Sequence, residues 1–207
     1  MDNDTEPIMP YSSFSFEQIK LLGIRIEHSV GLFSDTESVE VPESFYHEMQ
    51  EDIVPLALAN NTEKARSELI ISPVLLQLRK IENRKISLFS GIDFNVDEER
   101  GLKGACDFII SRSAEQLFLD APIIALVQAK RENIVQGIPQ CIAEMKAAQI
   151  FNERRKSGID TLFGIVTTGI HWQFLKLNDD LISLDLEQYY IKELGKILGI
   201  LHFMCHA

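Results

Sequence analysis

A chain of 207 residues, 45% hydrophobic and with a formal net charge of −11, has apolar content for one sizeable core and is most simply a single domain. No apolar run approaches the roughly 18–20 residues that cross a bilayer, and the start Met1-Asp2-Asn3-Asp4 lacks the basic flank and apolar block of a secretory signal, so a cytoplasmic protein with no membrane partner is expected. The acidity is local: residues 1–52 hold 12 acidic and 2 basic side chains and the rest hold 19 and 18, which leaves a nearly neutral core able to meet nucleic acid through local basic clusters.

Residues 1–14 are polar and include Pro7 and Pro10, which predicts no regular structure. Phe16–Ile26 and Phe45–Ala59 have helix-like or mixed spacing, separated by the acidic Ser34–Pro42. Residues 1–59 thus read as an acidic accessory region ahead of a core over 60–207. Asn60-Asn61-Thr62-Glu63 has the form of a helix start, with Asn60 as cap and Glu63 three residues on. Ala65, Leu69, Ile70, Val74 and Leu78 then recur at helical spacing. Pro73 is expected to kink that helix by removing a backbone donor, and Glu68 falls at the edge of its buried face.

The period then shortens. Ile86–Asp93, Ala105–Ser111 and Ile123–Lys130 read as strands, with a charged turn over Asn95–Lys103. A helix is expected from about Ile138-Pro139, since proline suits a first turn. It should end at Arg154-Arg155-Lys156, whose charges suit the negative end of the helix dipole. Thr161–Thr167 and His171–Leu177 are strands joined by a tight turn at Thr168-Gly169. Leu181–Leu186 offers one more, and Glu187–Met204 closes the chain as an amphipathic helix. The order predicts an α/β fold with a mixed central β-sheet flanked by helices and a crossover after the third strand. Cys106, Cys141 and Cys205 have no paired spacing and lie in apolar patterns, as buried reduced thiols do.

Two of these strands carry the chemistry. Gly104–Ile110 embeds Asp107, and the run from Ile123 ends on Gln128-Ala129-Lys130. Charged side chains seldom sit in such strands unless paired or bound to a metal. Strand alternation places Gln128, Lys130 and Glu132 on one face, and an antiparallel neighbour would bring Asp107 beside the first two. Such a set suits Mg²⁺, which takes carboxylate, water and phosphate oxygens. A lysine beside it can orient water and offset developing charge.

Taken in order, Glu68, Asp107, Gln128-Ala129-Lys130 and a following helix with Gln140 resemble the PD-(D/E)XK nuclease superfamily, the restriction-endonuclease-like fold, over roughly residues 60–177. The block from Lys130 through Gly137-Ile138-Pro139-Gln140 to Gln149 is also similar to a group of bacterial and cyanobacterial proteins of that superfamily. The resemblance implies a restriction-endonuclease-like core that hydrolyses phosphodiesters of nucleic acid, DNA first, with Mg²⁺ or Mn²⁺, in a superfamily where homodimers are common. By that resemblance Asp107 ligates the metal, the Gln128 amide oxygen and the Ala129 carbonyl complete the protein's share, and Glu68 touches it through water. Lys130 positions the attacking water, and Gln140 holds the metal shell or the phosphate. Apart from the resemblance, Arg131 and Lys146 with Arg154, Arg155 and Lys156 form a basic cluster suited to phosphate contacts, though such a charge run is more often a solvated helix end. Gln128 is the departure, because most relatives carry glutamate there. It removes one negative charge and should weaken Mg²⁺ binding in the absence of DNA. Mrr-type restriction enzymes resemble this Gln-x-Lys form, and Glu132 offers a partial replacement. The alternative is a nuclease fold that has lost catalysis and serves as a binding or assembly module.

Two further constellations carry less weight. His202, Cys205 and His206 share a helical face at metal-ligand spacing, but the sequence shows no fourth ligand and zinc is not expected there. Trp172 and Phe174 are expected in the core rather than stacked on bases.

Overall fold

The computed structural model describes residues 10–207; most of the N-terminal stretch expected to lack regular structure lies outside them, and Tyr11–Ser13 forms a single 3-10 turn. The elements that follow are α1 (Phe16–Leu21), β1 (Arg25–Ser29), α2 (Glu43–His47), α3 (Val54–Asn60), α4 (Glu63–Arg66), α5 (Ser72–Ile81), β2 (Ser87–Asp93), β3 (Ala105–Ser111), β4 (Ile123–Ala129) and α6 (Ile134–Arg154). The chain continues through β5 (Thr161–Thr167), β6 (His171–Asn178), β7 (Leu181–Asp185), β8 (Tyr189–Tyr190) and α7 (Leu194–His206). One mixed sheet runs in the order β1-β7-β6-β5-β4-β3-β2, with β8 paired to β6. The β4–β5 and β1–β7 pairs are parallel, and α6 makes the expected crossover between β4 and β5.

Helices cover both faces. Ile70, Val74 and Leu78 from the α4–α5 stretch and Ile197 and Leu201 from α7 share a core with Phe108, Val127, Ile165 and Phe174. On the opposite face Ile138, Ile142 and Met145 of α6 pack with Ile109, Leu126, Val166 and Leu175. Adjacent strand residues thus alternate between the two cores. Every residue of β4 is buried, which is why its sequence is a continuous apolar run rather than an alternating one. Gly164 lets α6 approach closely: a Cβ there would meet Met145 Sδ at 2.5 Å and Cys141 Sγ at 2.8 Å. All three cysteines are free and buried. Trp172 is buried in the core beside Phe174, its indole N–H donating to the Gly169 carbonyl at 2.9 Å. No helix among the described residues is long and apolar enough to cross a membrane.

Several boundaries differ from the sequence expectation, each for a local reason. Asn60 ends α3 instead of starting the next helix, because Asn61 takes a left-handed conformation (φ 48°) that closes it. Thr62 then caps α4, accepting the Ala65 N–H at 3.0 Å. Pro73 falls in the first turn of α5, just after a π-helical turn over Ser67–Ile71. That widened turn accommodates the missing donor. Asn133 caps α6 through Val135 N–H at 3.0 Å, so the helix begins ahead of Pro139 and carries it inside. The last helix starts only at Leu194, after β8 and a 3-10 turn.

The acidic N-terminal region is woven into this core. It supplies β1 as an edge strand beside β7, and the buried Tyr11 hydroxyl donates to Phe94 O at 2.6 Å. Its acidic segment lies along α7. Val39 N–H donates to Gly195 O at 3.1 Å, and Lys196 donates to the carbonyls of Phe33, Ser34 and Thr36. Gly195 and Gly199, one turn apart, clear the strip of helix on which it rests: a Cβ at Gly199 would sit 2.0 Å from the Glu37 carbonyl oxygen.

Candidate functional site

Strands β3 and β4 are antiparallel with Phe108 opposite Val127, a register that carries Asp107 to Gln128. Asp107 Oδ2 accepts from Gln128 Nε2 at 2.5 Å and from the Ala129 backbone N–H at 2.8 Å. The same Gln128 nitrogen donates to the Ala129 carbonyl at 3.2 Å, and its buried Oε1 has no protein partner. On the other side of β3, the pairing passes from Ser90–Phe108 to Ile92–Cys106 across Gly91, which has φ +63°. Glycine takes that conformation without strain, and nothing lies within 4 Å of where its Cβ would be. The result is a notch beside Asp107, part of a cleft of about 290 Å³ lined also by Glu63, Lys64, Glu68 and Ala129.

Burial is the main influence raising the Asp107 pKa, the Ala129 N–H and Lys130 oppose it, and Glu63 pushes it up further. Glu63 is thus a cleft residue that sequence reasoning assigned only to a helix cap. Nothing along the chain signals its second role, because the α4 N-terminus meets β3 only in the folded state. Glu68 lines the same cleft and is paired with Lys64 at 3.3 Å.

Lys130 follows β4 directly and reaches away along α6. Its ammonium donates to Gln140 Oε1 at 3.2 Å, and Gln140 Nε2 donates to Glu144 Oε1 at 3.0 Å. Gly137 makes the room: a Cβ there would meet Val166 Cγ1 at 2.7 Å and Lys130 Cγ at 3.0 Å. Glu144 is fully buried and its Oε2 has no partner. Burial, aided by Asp107 and opposed by Gln140 and Lys130, pushes its pKa up to about 8, so it is mostly protonated at neutral pH. Sequence reasoning passed over Glu144, yet a signal existed. It shares a helical stripe with Cys141 and Ala148, three before and four after, and that stripe is apolar.

The remaining expected residues stand apart. Arg131 is exposed and paired with its neighbour Glu132 at 3.3 Å. Glu132 acts on the buried Arg66, whose guanidinium donates to Thr168 O at 3.0 Å. Lys146 is held by Gln149 Oε1 at 2.8 Å and Asp180 Oδ1 at 2.7 Å, about 9 Å along α6 from Gln140 at 1.5 Å per residue. Arg154 donates to Val96 O and Arg155 lies over the Phe151 ring, so both serve packing here.

Two places have metal-ligand chemistry. At the cleft, the Asp107 carboxylate and the Ala129 carbonyl offer oxygen ligands of the kind Mg²⁺ takes, and the Gln128 amide lies beside them. Both Asp107 hydrogen bonds fall on Oδ2. The amide nitrogen rather than the oxygen of Gln128 faces Asp107, so the set fits a cation once that amide turns over. The second place is Glu82, His202 and His206, whose ligand atoms all lie within 4.8 Å of one another and can hold a metal ion. It is the one such group of three among the described residues. The expected helical trio is thereby revised: Cys205 turns into the core, and Glu82, at the end of α5, takes its place.

Comparison with protein-family models, with curated proteins and with solved structures gives no match.

Proposed function

We propose that this protein hydrolyses phosphodiester bonds of nucleic acid, DNA first, at the Asp107 cleft with Mg²⁺ or Mn²⁺. The observation that carries the reading is the pairing of a half-buried carboxylate on β3 with Gln128 and Ala129 at the end of β4, just ahead of Lys130, beside a cleft lined by two further glutamates. A cation between Asp107, the Gln128 oxygen and the Ala129 carbonyl would supply Lewis-acid activation of water and phosphate. Glu63 and Glu68 contribute negative charge to the cleft, which attracts the cation through intervening water. Lys130 has donors beyond the one given to Gln140, and these hold a water or a phosphate oxygen in place. Gln140 keeps that ammonium from collapsing onto Asp107, and protonated Glu144 fixes the Gln140 amide without adding a charge.

A second reading rests on a specific contact. The Gln128 NH₂ group bonds Asp107 Oδ2 and Ala129 O together, two oxygens that a cation would otherwise join. An amide that stands in for the cation suits a nuclease-fold binding or assembly module without catalysis. Nicking of supercoiled DNA separates the two. Under the first reading, Mg²⁺- or Mn²⁺-dependent nicking is lost in Asp107→Ala and Lys130→Ala and strengthened in Gln128→Glu. Cleavage that persists in both alanine variants eliminates this site. Absence of nicking in the native protein, with none gained by Gln128→Glu, favours the binding module.

A further inference from the structure

Glu82 lies at the C-terminal end of α5, 7% exposed, and two imidazoles converge on it from α7. His202 Nδ1 is 2.5 Å from Glu82 Oε1, and His206 Nε2 is 3.0 Å from Oε2. The histidines are four residues apart, which stacks them on one helix face, with ring centroids 4.7 Å apart. The chain leaves α5 just after Glu82 through a turn in which Asn83 and Arg84 both have positive φ, at 52° and 60°. Asparagine takes that conformation readily, whereas at Arg84 it costs backbone energy.

The three groups converge on a common centre: Glu82 presents one carboxylate oxygen to each imidazole, and the ligand atoms all lie within 4.8 Å of one another. Carboxylate and imidazole together are ligands that a single Zn²⁺ takes. Ligands about 2.0–2.2 Å from a tetrahedral zinc sit roughly 3.3–3.5 Å apart, so the two carboxylate–imidazole contacts open by less than about 1 Å while the widest separation in the trio, within 4.8 Å, closes. Both rings also line a cleft of about 630 Å³, walled by Leu32, Val39 and Phe203. Three protein ligands with a fourth position facing open space is the arrangement of zinc sites that retain a water.

We propose that Glu82, His202 and His206 bind one Zn²⁺, tying the end of α5 to α7, with the fourth position open to this cleft. The mixed nitrogen and oxygen donor set selects zinc over Mg²⁺, which takes oxygen ligands. The inference is independent of the phosphodiesterase reading, because it shares no residue with the Asp107 cleft.

The test is calorimetric titration of the full chain with ZnCl₂, with Co²⁺ absorption to report tetrahedral geometry. One ion per chain is expected. His206→Ala and Glu82→Gln should weaken it at least about tenfold, since loss of even an outer partner of a metal ligand costs that much. His206 has a 62% exposed side chain, so its removal leaves the core intact, as circular dichroism would verify. Asp107→Asn should leave the zinc stoichiometry unchanged. Absence of zinc binding, or binding that survives His206→Ala and disappears in Asp107→Asn, overturns the proposal.

Discussion

Replacing Glu144 with glutamine should change how stability depends on pH, by an amount that follows from its burial. The side chain is 0% exposed and its pKa is pushed up to about 8 from an ordinary 4.5. Between those values the folded protein holds a proton that the unfolded chain has released. Stability therefore falls with rising pH, by about 1.4 kcal/mol for each pH unit. The contribution is fully present below the unfolded value and is lost as pH passes through about 8. From pH 6 to pH 9 the loss is on the order of 3 kcal/mol. Glu144→Gln keeps an acceptor for the Gln140 amide and does not titrate, so it should escape this loss. The assay is urea unfolding of both proteins at the two pH values, comparing midpoints and slopes. Glu144 contributes to the raised thiols of Cys106 and Cys141 and to the raised Tyr11 hydroxyl, so the variant alters that part, while burial, the larger cause of each, is common to both proteins. If the native and variant curves stay parallel from pH 6 to pH 9, Glu144 is not a protonated acid and its role beneath Lys130 must be abandoned.

Gly199→Ala should destabilise the fold by about 1–3 kcal/mol, the usual cost of overpacking, because its Cβ would overlap the Glu37 carbonyl oxygen at 2.0 Å. Limited proteolysis should then cut within residues 31–41, and an unchanged digestion pattern would show that this segment does not rest on α7. Tyr11→Phe removes the hydroxyl donated to Phe94 O at 2.6 Å and leaves a carbonyl short of a partner, at about 1–3 kcal/mol. A thermal midpoint equal to that of the native protein would argue against Tyr11 as an anchor of the N-terminal region.

The sequence was informative where one element's own pattern suffices. Three of the core strands, at 105–111, 161–167 and the run from 123, were legible because β-branched runs bounded by turn residues have few alternatives. The α6 crossover followed from strand order. Boundaries were missed where two signals competed. Asn60 and Asn61 resemble a cap and serve as a terminus, since asparagine tolerates both conformations, and Pro139 looked like a first turn although Asn133 supplies the stronger cap. Asp107 and Gln128 were legible as neighbours because antiparallel pairing of adjacent strands fixes their register.

What the chain determined by itself, then, is its α/β class, its central strands and the adjacency of Asp107 with Gln128, all consequences of short-range periodicity. Tertiary structure alone decided which way the Gln128 amide faces and that Glu63 joins the cleft. It also decided that Lys146 is held by Asp180 and that Glu82 meets His202 and His206 across more than a hundred residues. Those contacts depend on how helices land on the two faces of the sheet. Burial at the landing points, invisible along the chain, sets the charge state of Glu144 and brings a buried carboxylate, Glu82, against two histidines.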